Sequence, residues 1–246
     1  MAEFEAFPKI PRLNRDVIVT EKIDGTNAAV IIEELAREDE RYGDPLSTEG
    51  QAEGVYALAA MGQHGGRRKF LVSAQSRKRL ISPNTEENKG ADNFGFAAWV
   101  QDNRAELIEA LGAGRHFGEW WGAGIARAYG FTSQRNFSLF RPDALPNGPF
   151  RTPPVKGQTE DVCVDTVPVL YEGPFNQQRI DQEVERLSVF GSQAAPGFPR
   201  PEGVIVFHTA ARQLFKVTVE DDDKPKEVAA REAAKVAANG AGKVSW

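Results

Sequence analysis

The sequence predicts an α+β fold of antiparallel sheets flanked by helices. Short apolar segments with the two-residue period of a strand outnumber segments with helical spacing, and most of them are separated only by turn residues. Strands that alternate regularly with helices would instead indicate a doubly wound parallel sheet. Neither a G-x-G-x-x-G nor a G-x-x-x-x-G-K-[ST] phosphate loop occurs in the sequence, which agrees with this choice.

Local patterns along the chain predict the individual elements. Residues 17–34 are predicted to form two strands joined by a turn at Asp24-Gly25. Residues 93–111 carry apolar residues at helical spacing and end before Gly112, which predicts a helix. Further strands are expected at 55–61, 70–75, 116–121, 137–140, 162–170, 204–208 and 213–220, further helices at 179–189 and 226–238, and a polar loop at 36–54.

Composition excludes several classes of protein. Hydrophobic content is 41% and charged content 26%, both ordinary for a soluble globular protein. No run of about 18 apolar residues occurs, so no membrane span is expected, and the N-terminal residues lack the pattern of a signal peptide. The single cysteine, Cys163, cannot form an internal disulfide, which fits a reducing, cytoplasmic setting.

The net charge of −5 does not by itself indicate nucleic-acid binding. Two basic triplets, residues 67–69 and 77–79, nevertheless flank one apolar strand. Such triplets are suited to touch phosphates, and a solvated strand edge explains them equally well.

The residues around Lys22 are the first candidate for chemistry. A lysine at the end of a strand, beside a carboxylate and a tight glycine turn, can act as a covalent nucleophile. Its amine must first lose a proton, which burial or neighbouring cations favour and a carboxylate such as Asp24 opposes. An exposed hairpin with a solvated lysine would show the same short pattern.

The segment Glu21–Asn27 (EKIDGTN) resembles the first motif of the covalent nucleotidyltransferases, which are ATP-dependent DNA and RNA ligases and mRNA capping enzymes. The resemblance implies a nucleotidyltransferase (ATP-grasp-like ligase) fold. It also implies that Lys22 attacks the α-phosphate of ATP and forms a lysyl–AMP intermediate. The GTN ending is similar to RNA ligases of the nick-sealing type, because DNA ligases and capping enzymes typically carry arginine at the position of Asn27. The resemblance implies that Glu21, Ile23, Gly25 and Asn27 bind the nucleotide. It also implies that Asp24 is a catalytic residue, with Asp24 and Asn27 holding ribose or a nucleic-acid end.

Further segments resemble the later motifs of the superfamily, in the same order. Ser76-Arg77 is similar to the Ser-Arg motif that contacts the nucleotide and the nick. Phe117–Ile125 resembles the F/Y-G-E motif and implies that Glu119 binds ribose hydroxyls or orients a metal-bound water. Asn136–Phe140 resembles an F-x-x-F segment, which implies that Phe137 stacks on adenine, whereas a core position suffices to explain Phe140.

The last two motifs lie near the end of the chain. Glu202–Val206 (EGVIV) resembles the motif whose glutamate assists the metal-dependent steps. Phe215–Thr218 (FKVT) resembles the final K-x-K motif with one lysine missing. We favour the register in which Lys216 is the first lysine and Thr218 replaces the second; in the other register Leu214 replaces the first.

The resemblance implies ATP and Mg²⁺ as cofactors, with Mn²⁺ as the alternative metal. Glu119 and Glu202 are the expected metal carboxylates, mostly acting through water. Lys216 is the expected cation at the phosphates, and because one lysine is missing, Lys224, Lys226 or Arg79 would share this task. The three histidines have no mutual ligand spacing, so a zinc site is not expected.

The favoured function is an ATP-dependent RNA ligase that acts on RNA ends or a nicked duplex. AMP would pass from Lys22 to a 5′-phosphate, and a 3′-hydroxyl would displace it. The open alternatives are a minimal DNA ligase or guanylyltransferase, and a non-catalytic nucleotide- or RNA-binding module. We expect a nucleotidyltransferase domain over residues 1–226 and a short helix and tail over 227–246 with no OB domain. The sequence leaves open whether a separate protein partner helps to hold the substrate.

Overall fold

The computed structural model describes residues 3–36, 55–61 and 67–220. Within these ranges the chain forms twelve strands and three α-helices, which confirms the predicted α+β class. The expected helix at 226–238, the expected boundary at residue 226, Lys224, His64 and nearly all of the expected 36–54 loop lie outside the described residues.

The strands within these ranges are two to ten residues long. They are β1 (Asp16–Lys22), β2 (Thr26–Leu35), β3 (Val55–Met61), β4 (Arg67–Ser76), β5 (Leu80–Ile81), β6 (Gly114–Gly122), β7 (Arg135–Leu139), β8 (Phe150–Thr152), β9 (Val162–Thr166), β10 (Val169–Pro174), β11 (Gly203–His208) and β12 (Gln213–Thr218). The helices are α1 (Phe96–Asp102), α2 (Arg104–Leu111) and α3 (Gln177–Phe190), and a short 3₁₀ helix spans Ala128–Gly130.

The chain divides into two compact units. Of the described residues, the first unit contains 3–22, 170–193 and 199–220, and the second contains 23–36, 55–61, 67–169 and 194–198. The chain therefore passes from the first unit to the second between Lys22 and Ile23, in the middle of the EKIDGTN segment.

The first unit is built on a four-stranded sheet in the order β10-β1-β11-β12. The β1–β11 and β11–β12 ladders are antiparallel. Apolar residues alternate along β1, so that Val17 and Val19 pack with Ile180 and Leu187 of α3 in one core. The intervening residues of β1, including Lys22, occupy the other face of the sheet.

The second unit is built on a larger sheet in the order β3-β4-β2-β6-β7-β9-β8, with β5 paired to β4. Its ladders are antiparallel except for the parallel pair β7–β9. The core contains four contacting aromatic rings, those of Phe96, Trp99, Trp120 and Phe137, all buried. Helix α1 thus covers the face of the sheet that carries Trp120 and Phe137.

The two strands predicted around Asp24-Gly25 are confirmed as β1 and β2, which belong to different sheets and do not pair with each other. Two other predicted elements are wrong in detail. The predicted 162–170 strand is divided into β9 and β10, again in different sheets. The predicted 93–111 helix is divided at Asn103, where the backbone leaves helical geometry (φ −110°, ψ 22°) and both the backbone N–H and the side-chain Nδ2 donate to the Trp99 carbonyl.

Among the described helices, none is both long and apolar enough to span a membrane.

Candidate active site

Lys22 and Glu202 form a direct ion pair in the first unit. Lys22 is the last residue of β1 and pairs in register with Gly203, the first residue of β11. This register places Glu202 next to the amine, and Lys22 Nζ donates to Glu202 Oε2 at 2.5 Å. The two side chains are 25% and 19% exposed, so a nucleophile candidate and a carboxylate meet in a half-buried setting. The sequence had placed these residues 180 positions apart.

Lys216 lies on the same face of this sheet as Lys22. In the ladders, Lys22, Gly203 and Thr218 are aligned in one row across three strands, and Lys216 precedes Thr218 by two residues on β12. Lys216 is exposed, whereas the Thr218 hydroxyl is buried and has no hydrogen-bond partner among the described residues. The register favoured from the sequence thus places both positions of the incomplete K-x-K motif on the lysine face.

The side chain of Glu21 points to the face opposite to that of Lys22, and protein contacts hold it there. Glu21 is 1% exposed. Its Oε1 accepts from Ser192 Oγ at 2.5 Å, and its Oε2 accepts from the Gln193 backbone N–H at 2.7 Å. Because adjacent strand residues face opposite sides, Glu21 anchors the end of β1 while Lys22 occupies the other face.

The turn after Lys22 is held by a network within the second unit. The Asp24 backbone N–H donates to the Tyr129 hydroxyl at 2.8 Å, and Arg127 Nε donates to Asp24 Oδ2 at 3.0 Å. Ile23, also expected around the nucleotide, is buried against Trp121 and Tyr129, so its side chain is part of a hydrophobic cluster. The sequence had marked the negative charge of Asp24 as unfavourable for a neutral lysine. The guanidinium of Arg127 offsets this charge.

Arg127 and Tyr129 are presented by a strained loop that sequence reasoning missed. Ala126, Ala128 and Tyr129 have φ values of 44°, 54° and 51°, in the left-handed region that non-glycine residues rarely adopt. Such strain persists where surrounding contacts fix the backbone, as the Asp24 contacts do in this loop. No local pattern in the sequence marks this loop as a partner of the Lys22 segment.

Gly25 and Glu119 are in direct contact. The Gly25 backbone N–H donates to Glu119 Oε1 at 3.1 Å, and Asn27 pairs in register with Glu119 across β2 and β6. A Cβ atom at Gly25 would lie 2.5 Å from the Trp120 carbonyl oxygen and 2.7 Å from Trp121 Cβ. Close packing therefore requires glycine at this position.

Arg77 lies in the exposed connection between β4 and β5. The neighbouring Arg79 is held by the backbone, since its guanidinium donates to the carbonyls of Gly90 at 2.8 Å and Ala91 at 3.1 Å. In the other basic triplet, Arg68 pairs with Glu34. Of these arginines, Arg77 best fits an exposed phosphate contact.

Phe137 does not have the position expected for a base-stacking residue. Its side chain is 0% exposed and contacts the rings of Phe96 and Trp99 in the core. It pairs in register with Trp120, whereas Glu119 pairs with Ser138 on the other face of the sheet. The stacking role is corrected for this reason, and the aromatic side chains exposed near Glu119 are instead those of Phe117 and Phe140.

A half-buried carboxylate, Asp165, was also missed. Ser138 Oγ donates to Asp165 Oδ1 at 2.5 Å and accepts from Trp121 Nε1 at 2.8 Å. Burial raises the pKa of Asp165 to about 6, and the Ser138 hydrogen bond only partly opposes this. The sequence did carry a usable signal for this residue. Val162 and Val164 alternate toward the core, so Asp165 points away from it and lies on the face that carries Glu119.

The chemistry of the expected metal carboxylates suits a hard cation such as Mg²⁺, which prefers oxygen ligands and retains several waters. Glu202 contacts Lys22 and Glu119 contacts Gly25 N–H. Among the described residues, no group of three or more histidine, cysteine, aspartate or glutamate side chains is arranged to hold a metal.

A family model described as RNA ligase matches residues 15–218 of this chain. The matched range contains Lys22, Glu119, Glu202 and Lys216. The chain belongs to the RNA ligase family.

Solved structures of RNA ligases resemble this chain at low sequence identity. The chain is similar to an unliganded mutant of a Naegleria gruberi RNA ligase, with 14% identity, coverage of 87% of this chain and 52% of that chain, and a TM-score of 0.44. The chain is also similar to a mutant of a Naegleria gruberi RNA ligase solved with ATP and Mn. In that comparison the sequence identity is 14%, the match covers 83% of this chain and 49% of that chain, and the TM-score is 0.42. The chain spans about half the length of these proteins. A comparison with curated protein sequences finds no match.

Proposed function

We propose that this chain is the nucleotidyltransferase part of an ATP-dependent RNA ligase, in which Lys22 is the residue that takes AMP. The observation that carries the proposal is that Lys22 contacts Glu202 directly and shares a sheet face with Lys216, within the range that matches the RNA ligase family. A lysine that is half-buried and paired with a carboxylate is far more constrained than a solvated surface lysine.

The proposed first step forms a phosphorus–nitrogen bond. The neutral Nζ of Lys22 attacks the α-phosphorus of ATP, the bond between the α-phosphorus and the bridging oxygen breaks, and pyrophosphate leaves. Attack requires that the ammonium of Lys22 give up a proton. Glu202 lies within hydrogen-bond distance of Nζ, which is the geometry that a proton acceptor needs. Lys216 supplies positive charge for the phosphates.

The second unit supplies the expected contacts to ribose and to the nucleic-acid end. Glu119 and Asn27 are adjacent across β2 and β6, and Gly25 N–H fixes one oxygen of Glu119. Asp24 is held by Arg127 and Tyr129, which limits its rotation. We assign Glu119 to the ribose hydroxyls, Asn27 and Asp24 to ribose or the RNA end, and Arg77 to a phosphate.

Glu202 in the first unit and Glu119 in the second are each a candidate to hold Mg²⁺, or Mn²⁺ in its place, through bound waters. A bound metal would neutralise charge that develops on the transferring phosphate and the pyrophosphate. AMP then passes from Lys22 to a 5′-phosphate, and a 3′-hydroxyl attacks that activated phosphate and releases AMP. RNA ends or a nicked duplex are the proposed substrates, with a separate protein as a candidate for holding them. The single cysteine supports a cytoplasmic location.

Covalent labelling tests the first step. The protein is incubated with Mg²⁺ and ATP labelled at either the α- or the γ-phosphate, and the denatured chain is examined for label. We expect label from α-labelled ATP alone, and none in Lys22→Ala. Lys156→Ala is the matched control, because Lys156 is an exposed lysine outside the candidate site. Label in Lys22→Ala, or no label in the unaltered protein, contradicts the proposal.

A second experiment tests the nucleic-acid substrate. Nicked duplexes with a 5′-phosphate are offered with either RNA or DNA on the 3′-hydroxyl side, and sealed strands are separated on a denaturing gel. We expect preferential sealing of the RNA-containing nick. Equal sealing of an all-DNA nick would favour the DNA-ligase alternative.

A further inference from the structure

The face of the second-unit sheet that carries Glu119 also carries a polar row that crosses four strands. Asn27, Glu119, Ser138 and Asp165 are aligned in register across β2, β6, β7 and β9. Residues directly opposite each other on neighbouring strands share a face, so all four side chains emerge on the same side. Asn27 follows Lys22 by five residues, so the row begins close in sequence to the nucleophile.

The far end of this row is a carboxylate with a fixed hydrogen-bonding pattern. The Trp121 indole N–H can only donate, so Ser138 Oγ accepts from it and gives its own proton to Asp165. An ionised Asp165 then has acceptor capacity only. Its remaining lone pairs select for a ligand that presents an N–H donor.

Asp165 is costly to the folded protein, which argues for a role other than stability. Burial raises its pKa to about 6, so the ionised form is disfavoured by its surroundings. Within the described part of the chain, no arginine or lysine forms an ion pair with it. A half-buried carboxylate without a cation is a feature that functional sites retain at the expense of stability.

Exposed aromatic surface lies beside the polar row. Phe117 precedes Glu119 by two residues on β6 and is 43% exposed. Phe140 follows Ser138 by two residues, is 39% exposed, and its backbone N–H donates to the Phe117 carbonyl at 3.0 Å. Flat apolar surface next to a directional acceptor is the combination that recognises a nucleobase, by its face and by its edge.

We propose that the Ser138–Asp165 pair determines nucleotide specificity by accepting a hydrogen bond from the exocyclic N6 amine of adenine, with Phe117 and Phe140 as the aromatic surface beside the base. Guanine and hypoxanthine place an acceptor oxygen at this position and would meet the Asp165 carboxylate with repulsion. The inference rests on the proposed function, because it concerns the base of the nucleotide that Lys22 receives.

The test compares rates of covalent labelling with three triphosphates labelled at the α-phosphate: ATP, purine riboside triphosphate, which lacks the amine, and inosine triphosphate, which has the oxygen. For the unaltered protein we expect labelling from ATP to be about 10-fold faster or more than from the purine riboside, and about 100-fold faster or more than from inosine triphosphate. The amide introduced by Asp165→Asn can donate to the oxygen of hypoxanthine. In this variant the ratio of the labelling rate with ATP to that with inosine triphosphate should fall about 10- to 100-fold. Ser138→Ala should lower the same ratio to a smaller extent.

Asp161→Asn is the matched control, since Asp161 is an exposed aspartate four residues earlier, and its ratios should equal those of the unaltered protein. Equal labelling of the unaltered protein by ATP and purine riboside triphosphate overturns the inference, whether or not the variants fold. An unchanged ratio in a folded Asp165→Asn also overturns it. Absence of label from all three triphosphates is a different outcome, because it contradicts the proposed function itself.

Discussion

Gly25→Ala tests whether close packing at the turn after Lys22 holds the candidate site together. The added Cβ would lie 2.5 Å from a backbone oxygen and 2.7 Å from the Cβ of Trp121, a residue that is 1% exposed. Neither atom can rotate away, so the backbone must shift. Overpacking of this kind costs about 1–3 kcal/mol, and alanine recovers about 0.4–1 kcal/mol by restricting the unfolded chain.

The net loss of about 1–2 kcal/mol should lower Tm by roughly 2–8 °C in a chain of this size. The same shift displaces the Gly25 N–H that contacts Glu119. Covalent labelling by ATP should therefore slow by roughly 10- to 100-fold, as small displacements at a reacting centre do. Thermal unfolding followed by circular dichroism and single-turnover labelling measure the two effects.

Gly90→Ala is the matched control for this prediction. A Cβ at Gly90 meets nothing within 4 Å, so this variant should melt at or slightly above the temperature of the unaltered protein. If Gly25→Ala melts within about 1 °C of the unaltered protein and labels at the same rate, close packing at Gly25 does not hold the candidate site together.

Three further predictions follow from other contacts. Glu202→Gln removes the charge beside Lys22, so single-turnover labelling should slow by about 100-fold or more; an unchanged rate would exclude Glu202 as the proton acceptor. Tyr129→Phe leaves the Asp24 N–H without its acceptor and should destabilise the protein by about 1–3 kcal/mol in denaturant unfolding; no loss would mean that another group replaces the hydroxyl. The raised pKa of Asp165 means that the folded state holds this proton more tightly than the unfolded state, so its contribution to stability falls as pH rises from about 4 to about 6. The stability of Asp165→Asn relative to the unaltered protein should thus rise by up to about 3 kcal/mol between pH 4 and pH 7, and a pH-independent difference would argue against the raised pKa.

Most strands could be predicted from the sequence, because two-residue alternation is a local property. Strand β3 has the predicted bounds, and β4, β6, β11 and β12 lie within a few residues of theirs. The two short strands β5 and β8 were missed, since segments of two and three residues carry almost no periodic signal. Assignment of strands to sheets was also missed, because it depends on pairing between distant segments.

The candidate site shows the same division. The motif order placed Lys22, Glu202 and Lys216 in one family pattern. The first-unit sheet places Lys22 and Lys216 on one face, and Glu202 contacts Lys22. The prediction that Phe137 stacks on adenine required its side chain to lie on an exposed face of β7. The structure buries the face that carries Phe137 against α1. Arg127 carries no local signal, since its role arises only from contact with Asp24 103 residues away.

The sequence by itself determined the α+β class, the lysine nucleophile candidate and the family pattern, because these depend on residue types and short spacings. Only the tertiary structure decided which side chain faces which neighbour. It paired Lys22 with Glu202, turned Glu21 and Phe137 away, and aligned Asp165 with Glu119. The physical reason is that a shift of one residue in strand register moves every side chain of that strand to the opposite face. The register itself is fixed by pairing between strands across the sheet.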